Sequence, residues 1–81
     1  MITMFCMQNI VGPRIREARL QHKPQLTQLQ LATKLQLDDW NISRSGIGKI
    51  EAGLRQVTDI ELVKLANTLG VSVAWLIGEQ D

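Results

Sequence analysis

The chain has 81 residues, which is enough for one small domain with a single core but leaves little volume for a deep catalytic cleft. Its one cysteine, Cys6, excludes an intramolecular disulfide and a zinc site built on several thiolates, and it fits a reducing, cytoplasmic setting. The formal net charge of +1 gives no general attraction to nucleic acid, so the distribution of the charges matters more than their sum.

The first residues are apolar-leaning but do not match a targeting or membrane segment. Residues 1–11 lack a basic start, a small-residue cleavage site and the length needed to cross a membrane. We therefore expect residues 1–9 to form a flexible N-terminal tail and residues 10–81 to form one domain, with no membrane partner. Self-association through the tail is a minor alternative.

Four predicted helix starts share one pattern, a hydrophobic residue, then Ser or Thr, then three residues and a second hydrophobic residue. The hydroxyl accepts a hydrogen bond from a free backbone N–H of the first turn, and the apolar pair packs across the helix end. Gln30 and Glu61 complete a capping box at two of the starts. The pattern occurs at Leu26/Thr27/Leu31, Ile42/Ser43/Ile47, Val57/Thr58/Leu62 and Val71/Ser72/Leu76.

These starts predict five helices, the first of which begins at Pro13, where a missing backbone N–H is harmless. The predicted spans are Pro13 to about Gln21, Gln28 to Leu35 or Gln36, Arg44 to about Ala52, Asp59 to Leu69, and Val73 to Ile77. The glycines at 53, 70 and 78 are placed as left-handed helix stops. Since no segment alternates apolar and polar residues for long, the predicted fold class is all-α, a compact five-helix bundle.

The third predicted helix differs from the others because its outward face is small and cationic. At 100° per residue, Ile47 and Ile50 fall on one side. The opposite side carries residues suited to a close approach from outside: Arg44, Ser45, Gly48 and Lys49. Arg and Lys side chains match guanine O6 and N7 in the major groove, and a serine hydroxyl can bond to several base edges.

Two glycines lie inside this helix, where each costs about 1 kcal/mol relative to alanine. Gly46 and Gly48 let DNA approach the backbone, allow close packing against a neighbouring helix, or mark a frayed helix, and the sequence leaves these explanations open. Residues 12–27 and 43–58 are net positive whereas residues 59–81 are acidic, so one basic face is expected, although each charge alone fits a solvated helix surface.

The motifs together resemble the phage-repressor and Cro-type helix-turn-helix domain over about residues 10–78. The matching motifs are Thr27-Gln28, Leu31-Ala32, Ile42-Ser43, Ile47, Ile50-Glu51, Gly53, Leu65-Ala66, Leu69-Gly70-Val71-Ser72-Val73 and Trp75-Leu76. The resemblance implies the lambda-repressor-like fold and a transcription regulator, expected to be a repressor. Such a protein inserts the third helix, residues 44–52, into the major groove of double-stranded DNA and binds as a homodimer. We expect no cofactor and no metal, and no small-molecule ligand is identifiable.

The resemblance also implies a role for individual positions. The positions that match base-reading residues are Arg44, Ser45, Gly48 and Lys49. The positions that match contacts to the DNA backbone are Gln28, Ser43 and Arg55. The positions that match a buried salt bridge between the first and third helices are Arg19 and Glu51.

The chain departs from the family pattern before the third helix, where about five additional residues bring in Asp38, Asp39 and Trp40. Two carboxylates near the expected DNA face would repel phosphate unless this loop folds away. We expect Trp40 to cover the core below the loop and Trp75 to lie in the core or at an interface. A smaller insertion lengthens the first loop around residues 23–25.

Other classes of function remain as alternatives. Catalysis is not expected, because His22 is the only histidine and no carboxylate has the setting of an acid–base pair. The adjacent carboxylates at 38 and 39 fit a solvated turn better than a metal site. The main alternative is a protein-interaction module or antitoxin-like adaptor of the same fold, and a third is a DNA-binding appendage of a larger enzyme. The dimer contact is expected from Trp75 and Leu76 or from the apolar tail.

Overall fold

The computed structural model describes residues 8–79, which form five α-helices and no strand. The helices are α1 (Gly12–Gln21), α2 (Gln28–Gln36), α3 (Arg44–Glu51), α4 (Asp59–Leu69) and α5 (Val73–Leu76). The predicted all-α bundle is confirmed, and each helix bound lies within about a residue of its prediction. No helix in residues 8–79 has the length and apolar character needed to cross a membrane.

The helix ends follow the predicted capping chemistry. Thr27 Oγ1 accepts a hydrogen bond from the backbone N–H of Gln30 at 3.0 Å, and the Gln30 amide oxygen accepts one from Thr27 N at 2.9 Å. Thr58 and Glu61 form the same reciprocal pair at 3.2 and 3.1 Å. These boxes satisfy orphan N–H groups, so local sequence alone determines where α2 and α4 begin. The predicted left-handed stops have positive φ at Gly53, Gly70 and Gly78.

One hydrophobic core receives side chains from all five helices. The large residues that are fully buried are Ile15, Leu31, Leu35, Ile47, Ile50, Leu65 and Leu76. Trp40 and Trp75 are partly buried and pack against this core, which agrees with the expectation for both tryptophans. Leu76 has no exposed surface, so this residue cannot supply the dimer contact that the sequence suggested for it.

The N-terminal segment differs from the predicted flexible tail at its last two residues. Gln8 donates its backbone N–H to Gly53 O at 2.8 Å. The side-chain amide of Asn9 donates to Ile50 O at 3.1 Å and to Arg55 O at 2.7 Å. Gln8 and Asn9 therefore belong to the folded domain, because they occupy backbone carbonyls at the end of α3. The rest of the predicted tail, residues 1–7, lies outside the described residues.

The inserted loop between α2 and α3 packs towards α4. Lys64 of α4 donates a hydrogen bond from Nζ to the backbone oxygen of Asp38. Asp39 turns the chain with a φ of 60°, and Trp40 then lies against the core. The backbone of the loop is thus attached to α4 at Asp38.

Candidate nucleic-acid interface

The third helix presents one apolar face to the core and one cationic face to solvent. Ile47 and Ile50 are each 0% exposed. Arg44, Ser45 and Lys49 are exposed on the other side, and Gly48 is half-buried among them. The structure therefore brings the four residues with expected base-reading roles together on one accessible surface, which we call the α3 outer face. This surface consists of residues 44, 45, 48 and 49.

The two glycines of α3 lie in different surroundings. A Cβ added at Gly46 would lie 2.7 Å from Cγ1 of Ile42, a buried side chain that could not move away freely. A Cβ added at Gly48 would meet nothing closer than the amide of Gln28, at 3.7 Å. Packing inside the protein thus explains Gly46. It does not require glycine at Gly48, where an added Cβ would make only ordinary van der Waals contact with Gln28.

A buried ion pair holds α1 against α3. Arg19 Nε donates to Glu51 Oε2 at 2.6 Å, and Arg19 Nη2 donates to Glu51 Oε1 at 3.0 Å. The two side chains are only 9% and 5% exposed. Arg19 Nη1 donates further to Leu26 O at 3.0 Å, which ties the start of α2 to the same guanidinium. This bidentate pair joins the last residue of α3 to α1 with a specific geometry.

Gln28, the first residue of α2, extends this network to the molecular surface. Its side-chain Nε2 donates to Glu51 Oε1 at 3.1 Å. The amide therefore lies between α2 and α3 and borders Gly48. The ion pair and this glutamine connect the buried interior with the α3 outer face through one continuous set of charge-assisted hydrogen bonds.

Two positions that sequence reasoning missed hold the far end of α3. A Cβ at Gly12 would lie 2.7 Å from Glu51 O and still closer to Ile50 O, so α1 begins in direct contact with the α3 backbone. Asn9 caps α1 by accepting hydrogen bonds from Val11 N at 3.1 Å and Gly12 N at 2.8 Å, while it donates to the α3 end. The only sequence signal was a polar Asn shortly before Gly-Pro.

Arg55, expected at the DNA backbone, is engaged inside the protein. Its Nη1 and Nη2 donate to the two carboxylate oxygens of Glu61, each at 3.1 Å, and Nη1 also donates to Gln56 O at 2.8 Å. Hydrogen bonding by this guanidinium holds the pKa of the Glu61 carboxyl below its ordinary value, although partial burial opposes the shift. Arg55 also lies 5.6 Å from the Trp40 ring centroid. Much of its charge is thus already paired.

The arrangement is that of a helix-turn-helix domain: α2 and α3 pack on each other, and α3 offers one free cationic face. No group of three or more potential metal ligands occurs in residues 8–79.

Residues 15–76 match the helix-turn-helix family, and the chain belongs to this family, as its resemblance to phage-repressor and Cro-type domains indicated. Its structure is similar to the high-resolution crystal structure of the restriction-modification controller protein C.AhdI from Aeromonas hydrophila. The TM-score is 0.67 at 32% sequence identity, covering 82% of this chain and 86% of that one. A search of curated proteins finds no relative. Family and neighbour together support DNA-binding transcription regulation, not catalysis, as the class of function.

Proposed function

We propose that this protein recognises a specific double-stranded DNA sequence by placing α3 in the major groove. The observation that carries the proposal is the division of α3 into a fully buried apolar face and an exposed cationic one. In this orientation Arg44 and Lys49 reach guanine edges and Ser45 reaches a neighbouring base. Gly48, which carries no side chain on this face, lets the helix backbone approach the bases closely.

The helix starts beside this surface supply contacts to the DNA backbone. Gln28 opens α2 and Ser43 caps α3, so first-turn N–H groups of both helices are positioned to attract phosphate. Arg55 contributes less than a free arginine, because Glu61 binds both of its terminal nitrogens. We assign Arg55 first to holding the α3–α4 loop and second to attracting phosphate.

We propose further that the protein binds as a symmetric homodimer and acts as a repressor. Two copies of α3 about 34 Å apart would read half-sites separated by one helical turn. Ile10 and Ile77 are 73% and 38% exposed and line one surface groove, so they replace Leu76 as the apolar residues available for a contact near α5. Repression follows from occupancy alone, since a bound dimer excludes other proteins from the same groove.

The test is selection of bound sites from a random duplex pool, followed by binding to the selected site at increasing salt. We expect enrichment of a two-fold symmetric sequence and a steep linear fall of log K with log salt, because each neutralised phosphate contributes about −0.9 to the slope. The alternative of a protein-interaction module draws support from the net charge of +1. It predicts no enriched sequence, and that result would refute the DNA-binding proposal.

A further inference from the structure

The α3 outer face has a gap at Gly48, and a side chain from the neighbouring helix lies beside it. A Cβ placed on Gly48 would be 3.7 Å from both Nε2 and Oε1 of Gln28. The whole amide plane of Gln28 therefore borders the space in which a side chain of α3 would otherwise lie. Gln28 is half-buried, so part of this residue is exposed beside the α3 outer face.

The orientation of this amide is fixed by the buried ion pair. Glu51 is an acceptor only, since its carboxylate is bound by Arg19, so the Gln28 atom that faces it at 3.1 Å must be the donor Nε2. One N–H of Nε2 and the acceptor Oε1 are left side by side. Within residues 8–79, Gln28 Oε1 has no hydrogen-bond partner. One hydrogen-bond donor and one acceptor of Gln28 are thus left without a partner from the described residues, next to Gly48 on the α3 outer face.

We propose that Gln28 reads an adenine in the major groove and takes the place of the side chain that Gly48 lacks. An adenine offers N7 as an acceptor and N6–H as a donor, which pair with the free N–H and Oε1 of a glutamine amide. A phosphate offers acceptors only, so it would leave Oε1 facing negative charge. The geometry therefore favours base reading over the side-chain phosphate contact that the family resemblance implies for this position.

This inference rests on the proposed function and adds one base-reading residue to it, from α2. The test uses the duplex selected by the parent protein, with each adenine replaced in turn by 7-deaza-adenine, which lacks the N7 acceptor. Dissociation constants are measured for the parent, for Gln28→Ala and for the matched control Gln21→Ala. Gln21 is an exposed glutamine at the end of α1. Melting curves of all three proteins establish that each is folded.

We expect one adenine in each half-site at which the 7-deaza replacement weakens parent binding about fivefold or more, but leaves Gln28→Ala binding unchanged. Gln21→Ala should respond as the parent does. If Gln28→Ala weakens binding to every duplex equally and no adenine shows this coupling, the side chain contacts phosphate and the inference is wrong. If the parent enriches no sequence at all, the proposed function itself fails, which is a separate result because it does not involve Gln28.

Discussion

Glu51 is the residue whose removal most directly tests how α3 is held. The Arg19 side chain is only 9% exposed, so Glu51→Ala would leave its buried guanidinium without a carboxylate. It would also remove the acceptor of the Gln28 amide. Breaking a buried pair by removing one partner costs about 3–5 kcal/mol, because an uncompensated charge stays in the interior. A domain of 81 residues has a total unfolding free energy of about 4–12 kcal/mol, so this variant should lose a large share of it.

The assay is thermal and urea unfolding followed by circular dichroism. Each kcal/mol of lost unfolding free energy lowers Tm by about 4–8 °C in a domain of this size. A loss of about 3 kcal/mol or more should therefore make Glu51→Ala melt at least about 12 °C below the parent. Glu17→Ala is the matched control. Glu17 is exposed, and within residues 8–79 its side chain bonds only to Gln21 in the next turn, at 3.3 Å. Its removal should therefore change stability by less than about 0.5 kcal/mol.

A double variant separates charge burial from lost packing. Arg19→Met combined with Glu51→Met removes both charges and keeps side-chain volume, so most of the lost stability should return. The reasoning about this pair would be refuted if Glu51→Ala had the same Tm as Glu17→Ala. It would also be refuted if the double variant were as unstable as Glu51→Ala.

The remaining predictions concern the supports of α3 and α4. Asn9→Ala should lower the free energy of unfolding in urea by about 2–4 kcal/mol, because it removes hydrogen bonds at both the α1 start and the α3 end; an unchanged midpoint would contradict this. Gly12→Ala should lower the free energy of unfolding by about 1–3 kcal/mol, because its Cβ would collide with the α3 backbone. Gly48→Ala should melt no lower than the parent, because alanine fits there and favours the helix, but it should bind DNA less tightly. The pKa of Glu61 in the folded protein lies below the ordinary 4.5, so its contribution to stability is present above that pH and is lost as pH falls through the folded value. As the pH is lowered from 5, the Tm of Glu61→Gln should therefore fall less than the Tm of the parent does.

The helix ends could be predicted because their signals are local. A threonine and the residue three positions later decide each capping box, as at Thr27 with Gln30, and a glycine in the left-handed region ends α4 at Gly70. The α3 outer face was equally predictable, since helical periodicity alone separates Ile47 from Lys49.

The contacts that hold these helices together were not predictable from the residues alone. Asn9 acts on carbonyls 41 and 46 positions away, and nothing in its own neighbourhood indicates those partners. The direction of the inserted loop depends on Lys64, 26 positions from Asp38. The Arg19–Glu51 pairing came only through family resemblance, because periodicity alone does not say which carboxylate meets a given arginine.

Glu61 illustrates how one side chain can serve two interactions. Local pattern suggested a capping role for Glu61, and family resemblance suggested a DNA-backbone contact for Arg55. The structure joins them, since the carboxylate that completes the α4 capping box also binds the guanidinium. Two residues that were predicted to have separate roles thus form one ion pair, and only the tertiary structure shows this pairing.

The most direct test of the central claim is the affinity of Arg44→Ala for the sequence that the parent selects, and for duplexes substituted at each base pair of that sequence. We expect a loss of about 1–3 kcal/mol on the selected site, with discrimination lost at one base pair per half-site. Lys64→Ala removes a cation on α4 that bonds to Asp38, and it should keep the parent's base preferences. Parent-like affinity and base preference in Arg44→Ala would contradict the proposal that the α3 outer face reads DNA.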